Sequence, residues 1–323
     1  MTHSPLASLM TDGKLISFSQ YKLWRECHYQ WELKYIEKLS PFKDNIHNVF
    51  GTAMHEVIQT WLTDYVYGHP SKILASTVDL SDELKKRLVE IAAPVIKQLN
   101  ENGEEYFIFS RNELEEFYQH GLEILRYLQK NVDKFFPTDN HVLFAIEYEL
   151  SGPTENPNVK FRGFIDVVIH DTKKNEYHLY DLKTSTRGWN QWAKKDKKLT
   201  DQLLLYKYFF AEELGIDLKK IHIYFTILKR MVPDMDFPVP RISNFTPSHG
   251  KPSINKAMKG LNNFVRLAFT DEGDYINSQK PMPSDSACRF CPFSEDGTCD
   301  YSAKLGKNKK KQKQDDTEWV TLK

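Results

Sequence analysis

The amino-acid sequence predicts an α/β protein that combines a sheet of at least four strands with several helices. Apolar residues recur at helical spacing up to about residue 135, and from residue 142 onward they alternate as in strands. The connections between the first three strand-like runs, "SGPTENPN" and "DTKKN", are short and rich in turn residues, which favours antiparallel hairpins. A helical segment, "DQLLLYKYFFAEELG", then separates the third run from a fourth.

Composition and charge narrow the class of protein. The chain has 323 residues, of which 40% are hydrophobic and 27% are charged, as in soluble globular proteins. No apolar run approaches the roughly 18 residues of a membrane span, and "MTHSPLASLMTDGK" lacks the pattern of a signal peptide. We therefore expect a cytoplasmic or nucleoid-associated protein. Its net charge is zero, so a polyanion would have to be bound by a local patch.

Helical patterns dominate the first part of the chain. "ISFSQYKLWRECHYQWELKYIEKL" predicts one helix, with Ser17 as N-cap and Gln20 as its capping-box partner. "VFGTAMHEVIQTWLTDYV" is the clearest amphipathic helix. Residues 80–99 and 112–135 predict two more helices, and together they indicate a helical lobe at about 70–138.

Strand patterns dominate the second part. The predicted strands are residues 142–150, 160–170, 176–184 and 220–230. A helix at about 254–270 leads to a cysteine segment at 281–300. We expect residues 1–300 to form a single domain, and residues 301–323 to form a basic tail whose charge run is typical of disorder.

Two carboxylates and a lysine stand at the ends of neighbouring predicted strands. Asp166 lies in "GFID" on the second strand, whereas Asp181 and Lys183 point to the same face of the third. In a hairpin the two carboxylates would converge and offer the oxygen ligands that Mg²⁺ or Mn²⁺ prefers. Lys183 would then orient a water or stabilise phosphate charge, as metal-assisted phosphodiester hydrolysis requires. The alternative is an exposed ion pair at a strand end.

Two helical motifs strengthen the catalytic interpretation. "GTAMHE" places His55 on the amphipathic helix, and imidazole is a common ligand of transition metals such as Mn²⁺. "QLLLY" places Gln202 and Tyr206 on one helix face, where both can hydrogen-bond a phosphate or a base edge. Taken alone, His55 would be an ordinary core or surface histidine, and the Gln–Tyr pair would be ordinary helix residues.

In this order, "GTAMHE", "GFID", "DLK" and "QLLLY" resemble the motifs of RecB-type nucleases of the PD-(D/E)xK superfamily. The resemblance implies a restriction-endonuclease-like fold, with a mixed central sheet flanked by helices, and a Mg²⁺- or Mn²⁺-dependent phosphodiesterase. By the same resemblance, Asp166, Asp181 and Lys183 would be catalytic. His55, both aspartates and the Leu182 carbonyl would hold the metal, and Gln202 and Tyr206 would contact DNA. Glu147 on the first strand is either an assisting acid or a solvent-facing residue.

The four cysteines indicate a metal centre. Cys288, Cys291 and Cys299 lie in "CRFCPFSEDGTC", and the fourth, Cys27, lies near the other end of the chain. The spacing alone fits zinc or an iron–sulfur cluster. One distant cysteine with three clustered ones resembles the AddB nuclease domain and the CRISPR-adaptation nucleases of the RecB type. This resemblance implies a 4Fe-4S cluster that acts as an iron–sulfur staple, with zinc as the alternative.

A basic aromatic segment follows Lys183. In "TRGWNQWAKKDKK", Arg187, Trp189 and Trp192 alternate with lysines, a pattern that suits stacking and phosphate neutralisation along a single strand. The alternative is a solvated loop whose tryptophans pack on the core. The tail lysines between residues 307 and 313 could add non-specific attraction to phosphates.

Together these patterns predict a metal-dependent DNA nuclease. We expect an exonuclease that acts on single-stranded or end-frayed DNA in recombination, repair or replication, with a helicase or recombination protein as a possible partner. The chain has no P-loop motif, so it carries no helicase motor of its own. Two alternatives stay open: a non-catalytic DNA-binding subunit that recruits a helicase or recombinase, and an RNA-processing nuclease.

Overall fold

The computed structural model of the protein describes residues 13–301, except 40–44, 70, 100–104, 237–238, 290, 296 and 300. The strands are β1 (Lys14–Ile16), β2 (Lys97–Leu99), β3 (Glu105–Phe107), β4 (His141–Pro153), β5 (Val159–Asp171), β6 (Glu176–Ser185), β7 (Ile221–Lys229) and β8 (Ile242–Phe245). The helices are α1 (Phe18–Glu26), α2 (His28–Tyr35), α3 (Ile46–Trp61), α4 (Lys72–Thr77), α5 (Ser81–Ala92), α6 (Arg111–Lys130), α7 (Val132–Phe135), α8 (Gln191–Lys195), α9 (Lys197–Leu214), α10 (Lys251–Ala268), α11 (Asp285–Cys288) and α12 (Pro292–Glu295). Short π and 3₁₀ turns span Leu62–Val66 and Leu218–Lys220. Apart from Tyr301, the predicted tail at 301–323 lies outside the described residues.

A mixed six-stranded sheet forms the centre of the fold. Its order is β1-β5-β6-β7-β8, and β4 pairs with β5 as well. β5 is antiparallel to both β4 and β6, so the two predicted hairpins are confirmed. β6 and β7 are parallel, because α9 carries the chain back between them. β1 and β8 were not predicted, since strands of three and four residues are too short to show a period.

Helices cover both faces of this sheet. On one face α1, α2, α9 and α10 bury an aromatic cluster in which Phe161 of β5 stacks on Phe209 at 4.7 Å. On the other face α3, α5 and α6 form a second apolar cluster with β5 and β6, in which Met54, Leu84 and Leu125 are all 2% exposed or less. Each such side chain contributes about 1.5–3 kcal/mol by leaving water. The two clusters hold the sheet between helical layers.

The predicted first helix is divided in two. Cys27 is extended, with φ −159° and ψ 119°, and it ends α1 and begins α2. The Ser17 hydroxyl accepts the backbone N–H of Gln20 as predicted. The Gln20 side-chain oxygen, however, has no hydrogen-bond partner among the described residues, so the predicted capping box is not complete. The break therefore separates the N-capped α1 from the helix that follows Cys27.

The lobe region contains more than helices. The helix predicted at 80–99 ends at Ala92. Pro94 explains this end, because it has no N–H to donate and its ring excludes a continuing helix. Beyond it, β2 and β3 form a small antiparallel hairpin that was not predicted.

The basic aromatic segment after Lys183, for which a solvated loop was the alternative, contains a helix. Asn190 caps α8 by accepting the N–H groups of Trp192 and Ala193. α9 begins two residues after α8 ends, with Asp196 as its N-cap. Local capping therefore organises this polar segment where hydrophobic periodicity gives no signal.

Candidate active site

A cleft opens where two strands leave the same edge of β5. β6 pairs with β5 only along residues 167–171, and β1 pairs with it only along residues 159–161. Among the described strands, residues 162–166 of β5 therefore have no partner on this side. The cleft has a volume of about 440 Å³. It is lined by residues 15–20 of β1 and α1, by Arg162, Gly163, Phe164 and Asp166 of β5, by Asp181 and Lys183 of β6, and by Gln202 and Tyr206 of α9.

The two predicted carboxylates lie in this cleft. Asp166 Oδ2 accepts a hydrogen bond of 2.6 Å from the backbone N–H of Leu182, so a side chain bridges the strands where the ladder stops. Asp166 is 9% exposed and Asp181 is 1% exposed. Burial raises the pKa of each carboxyl to about 6, although Lys183 acts in the opposite direction. Burial thus makes the ionised form of both carboxyls unfavourable, and a bound cation would offset this cost.

Lys183 is the cation beside the two carboxylates. Its Nζ lies 2.6 Å from Asp181 Oδ2. At this distance the ammonium donates a charge-assisted hydrogen bond to the carboxylate and forms an ion pair with it. Burial alone would lower the pKa of Lys183, but Asp181 and Asp166 outweigh it and the pKa is raised. The ammonium is therefore protonated at neutral pH.

His55 reaches the same carboxylates from α3. Its Nδ1 lies 3.6 Å from Asp166 Oδ2. Burial, and then the charge of Lys183, lower the pKa of His55, so that its imidazole is neutral near pH 7 and a ring nitrogen can bind a metal. One turn earlier, Gly51 lets α3 approach β6, since a Cβ there would lie 3.3 Å from the Thr184 hydroxyl. Helix packing thus brings the imidazole to the strand ends.

Gln59 is a site residue that the sequence did not reveal. It stands one turn after His55, and its amide donates to Glu147 Oε1 at 2.5 Å and to the Asp166 carbonyl at 3.2 Å. Glu147 has φ +47°, a left-handed conformation that is unfavourable for a glutamate. Glu147 therefore contacts α3 rather than only solvent, and its charge raises the pKa of Asp166. The sequence feature that could have identified Gln59 is its i+4 spacing from His55.

Tyr206 and Gln202 form one wall of the cleft. Gln202 Nε2 donates to the Tyr206 hydroxyl at 3.2 Å. The Tyr206 ring lies against Gly163, where a Cβ would be only 2.6 Å from ring atom Cε1. Burial raises the pKa of Tyr206 to about 12, so the hydroxyl keeps its proton. Both side chains present hydrogen-bonding groups to the space beside Lys183.

Two further cleft residues were missed. Phe164 is 41% exposed, and the Arg162 guanidinium lies 5.2 Å from the centre of its ring. They follow directly on either side of Gly163, so they were hidden in the pattern of a strand. An aromatic face with a neighbouring cation suits a nucleobase and its phosphate.

The tryptophans of the basic segment have different surroundings. Trp189 packs on Phe225 at 5.0 Å, as the core interpretation predicts. Trp192 is 83% exposed, and Arg187 is also exposed. Within this segment, Trp192 is the aromatic side chain available to stack on a base.

The donor set of the cleft fits a hard divalent ion. His55 supplies a neutral imidazole, and the two aspartates supply buried oxygens, of which Asp181 Oδ2 is held by the Lys183 ammonium. The Leu182 backbone binds both Asp166 and His55. Its role as a carbonyl ligand stays a prediction.

The four cysteines meet at a separate place. Cys27, Cys288, Cys291 and Cys299 line one small cavity between the α1–α2 break and the C-terminal segment. Burial, with smaller contributions from Cys299 and Cys27, raises the pKa of Cys291 to about 11. Four converging thiols are a donor set for zinc or an iron–sulfur cluster, either of which would hold them as thiolates.

Within the part of the chain that the structure describes, no helix is both long enough and apolar enough to cross a membrane.

Comparison with known proteins places these features in context. A sequence profile of the PD-(D/E)XK nuclease superfamily matches residues 15–295. A crystal structure of a candidate exonuclease from Eubacterium rectale is similar with a TM-score of 0.49 and 11% sequence identity, over 90% of this chain and 93% of that chain. That similarity is too low to support an inference about activity. No curated protein matches the chain.

Proposed function

Because the chain belongs to the PD-(D/E)XK nuclease superfamily, we propose that it is a divalent-metal-dependent DNA nuclease whose active site is the cleft along β5. One observation carries the proposal: His55, Asp166 and Asp181 face one another at the strand ends with the Lys183 ammonium beside them. The family supplies the expectation of a metal-dependent phosphodiesterase. The geometry supplies the residues that would perform it.

His55, Asp166 and Asp181 are the residues that would hold the metal. Mg²⁺ or Mn²⁺ at this place would act as a Lewis acid on the phosphate and would lower the pKa of a bound water. Although burial raises the pKa of each carboxyl to about 6, both are ionised above that pH, where they can bind the metal. Gln59 and the Leu182 backbone keep this group of side chains in place.

Lys183 would act as an electrostatic catalyst. Since its pKa is raised, it does not accept a proton near neutral pH. Its ammonium is instead available to stabilise the negative charge that develops on the phosphoryl oxygens in the transition state. Asp181 positions this ammonium through the 2.6 Å ion pair.

The remaining cleft residues would bind the strand. Gln202, Tyr206 and Arg162 offer donors to phosphates and base edges, and Phe164 and Trp192 offer exposed aromatic faces. Exposed aromatic faces can stack only on bases that are not enclosed in a duplex. We therefore favour an exonuclease on single-stranded or end-frayed DNA, such as a helicase or recombination protein would supply.

The central experiment compares Lys183→Met with a lysine variant remote from the cleft. Removal of the Lys183 charge is expected to lower the rate of Mg²⁺-dependent DNA cleavage by about 100-fold or more. Lys219→Met removes an exposed lysine after α9 and should leave the rate unchanged. The substrates are single- and double-stranded DNA labelled at either end, and a circular single strand that separates endonuclease from exonuclease action.

Three results would overturn parts of this proposal. Undiminished cleavage by Lys183→Met would remove Lys183 from the catalytic site. DNA binding by the wild type without cleavage in Mg²⁺ or Mn²⁺ would favour the non-catalytic subunit that recruits a helicase or recombinase. Cleavage of RNA alone would favour an RNA-processing nuclease.

We also propose that Cys27, Cys288, Cys291 and Cys299 bind a 4Fe-4S cluster. Support comes from their convergence on one cavity although Cys27 and Cys288 are 261 residues apart in the chain. Protein purified without oxygen is expected to contain iron and acid-labile sulfide in equal amounts. Stoichiometric zinc without iron would show that these cysteines bind zinc instead of the cluster.

A further inference from the structure

A second group of potential metal ligands lies at the other end of β4, β5 and β6. It consists of His141, Asp171 and His178, and their ligand atoms all lie within 4.8 Å of one another. Asp171 follows Asp166 by five residues on β5, a distance of about 17 Å along an extended strand. The group is therefore separate from the nuclease cleft, and neither the family motifs nor the proposed mechanism uses it.

His141 presents a fixed ring nitrogen to this group. Its Nδ1 lies 2.6 Å from the carbonyl oxygen of Asp139, which can only accept a hydrogen bond, so Nδ1 carries the proton. The unprotonated Nε2 then faces Asp171 Oδ2 at 3.7 Å. A backbone carbonyl that orients the far nitrogen is the usual support of a metal-binding histidine.

Asp171 contributes a buried and oriented carboxylate. It is 3% exposed, and its Oδ1 accepts the backbone N–H groups of Lys173 and Lys174 at 3.0 Å each. Oδ2 is left to face His141. The Lys174 ammonium, at 3.8 Å from Oδ2, belongs to a side chain that is 67% exposed and can move into solvent.

The strongest indication of a bound ion comes from His178. Its Nε2 is buried and has no hydrogen-bond partner among the described residues. Leaving such an atom unsatisfied costs about 1–3 kcal/mol. Its Nδ1 lies 3.4 Å from the Tyr224 hydroxyl, which can accept the proton of that nitrogen. The neighbouring ring of His222 stacks on His178 but is bonded to Glu176 at 3.0 Å.

We propose that His141 Nε2, Asp171 Oδ2 and His178 Nε2 form a second metal site that binds Zn²⁺ or a related late first-row transition ion. Two imidazoles with one carboxylate are a donor set of such ions, whereas Mg²⁺ and Ca²⁺ favour sites in which most ligands are oxygens. The ion would satisfy the buried His178 nitrogen and would join the ends of three strands. A fourth position would be filled by water.

The test is zinc binding by the full chain after removal of metals, measured by competition with a chromophoric chelator. The cysteines and the nuclease cleft can also take up Zn²⁺, so the readout is the difference between variants. His178→Gln and Asp171→Asn are each expected to lose one Zn²⁺ per chain relative to wild type. His170→Gln is the matched control, because that imidazole is bonded to Asn175 and lies outside the group.

A second readout separates metal binding from general structure. Tyr224→Phe removes only the partner of His178 Nδ1 and should weaken the affinity for this Zn²⁺ by about 10-fold. Zn²⁺ should raise the melting temperature of wild type and of His170→Gln more than that of His178→Gln. Mg²⁺-dependent cleavage by folded His178→Gln should match wild type. The zinc site is therefore tested independently of the proposed nuclease metal site.

Equal zinc stoichiometry in wild type, His178→Gln and Asp171→Asn would overturn the proposal. If His178→Gln does not fold, His141→Gln replaces it, because that side chain lies at the start of β4 and leaves the hydrogen bonds of Asp171 intact. Unchanged stoichiometry in this variant would have the same meaning.

Discussion

At the scale of single residues, the cleft contains carboxylates whose ionised form is made unfavourable by burial. Asp166 and Asp181 are buried with their pKa raised to about 6, and Lys183 only partly compensates. Perturbed groups of this kind concentrate where proteins bind metals or catalyse reactions. These buried charges cost the metal-free protein stability. A bound cation would remove that cost, which strengthens its binding.

Asp166→Asn should therefore stabilise the metal-free protein while it abolishes cleavage. The folded-state pKa of about 6 exceeds the ordinary 3.8, so the native state binds the proton more tightly, and its stability rises as pH falls from about 6 to 4. At pH 7, where the penalty is complete, the amide should increase the free energy of unfolding by about 1–3 kcal/mol. Urea unfolding in a chelator, at pH 5 and pH 7.5, measures this.

The control for Asp166→Asn is Asp271→Asn, an exposed carboxylate that should change stability by less than about 0.5 kcal/mol. Added Mg²⁺ should stabilise wild type but not Asp166→Asn. A clear loss of stability in the metal-free Asp166→Asn protein would show that its carboxylate is structural rather than costly.

Single-residue patterns anticipated part of the cleft. His55, Asp166, Asp181, Lys183 and Tyr206 each stand in a short motif, and the structure places all five around one opening. Arg162 and Phe164 have no such motif, because their positions matter only once β6 and β1 leave β5, and Gln59 has only its i+4 spacing from His55. Spacing can identify ligands on one helix or strand, whereas neighbours across a gap depend on the tertiary fold.

At the scale of elements, the contact between β5 and α9 sets the width of the cleft. Gly163→Ala would place a Cβ 2.6 Å from the Tyr206 ring, so the helix or the ring must move, at a cost of about 1–3 kcal/mol. Cleavage should fall as well, since Tyr206 and Gln202 move together. Urea unfolding and cleavage assays of the same protein measure both effects.

A double-mutant cycle identifies the cause of this loss. In a Tyr206→Ala background the added methyl group of Gly163→Ala no longer meets the Tyr206 ring and should cost much less. Additive losses in stability would show that Gly163 is required for another reason than the Tyr206 ring.

Element boundaries show what periodicity can and cannot predict. β4 to β7 were predicted within about three residues, because each is long and alternates or is continuously apolar. The division of the first helix at Cys27 was not predicted, since an extended residue between two helical patterns is stabilised by contacts distant in sequence, such as the N–H of Met282 at 3.4 Å from Cys27 Sγ. Pro94, by contrast, was a local signal for the end of α5.

At the scale of the whole molecule, the cysteine cavity links the beginning of the fold to its end. If the cysteines hold the proposed cluster, Cys27→Ser should abolish iron binding and lower the melting temperature, because metal binding contributes to folding. Cys288→Ser should do the same. The double variant should lose no more than either single one, since both remove one shared centre. Iron content and thermal unfolding under exclusion of oxygen measure the effect, and fully additive losses would contradict a common cluster.

The pairing of β1 with β5 has a consequence for how the chain is made. Lys14–Ile16 pairs with residues 159–161, which leave the ribosome only after 143 further residues have been translated. At about 5–20 residues per second, the N-terminal strand waits for about 7–30 seconds without its neighbour. During that interval its unpaired backbone is open to other chains, so chaperone protection of the nascent polypeptide would matter most before β5 emerges.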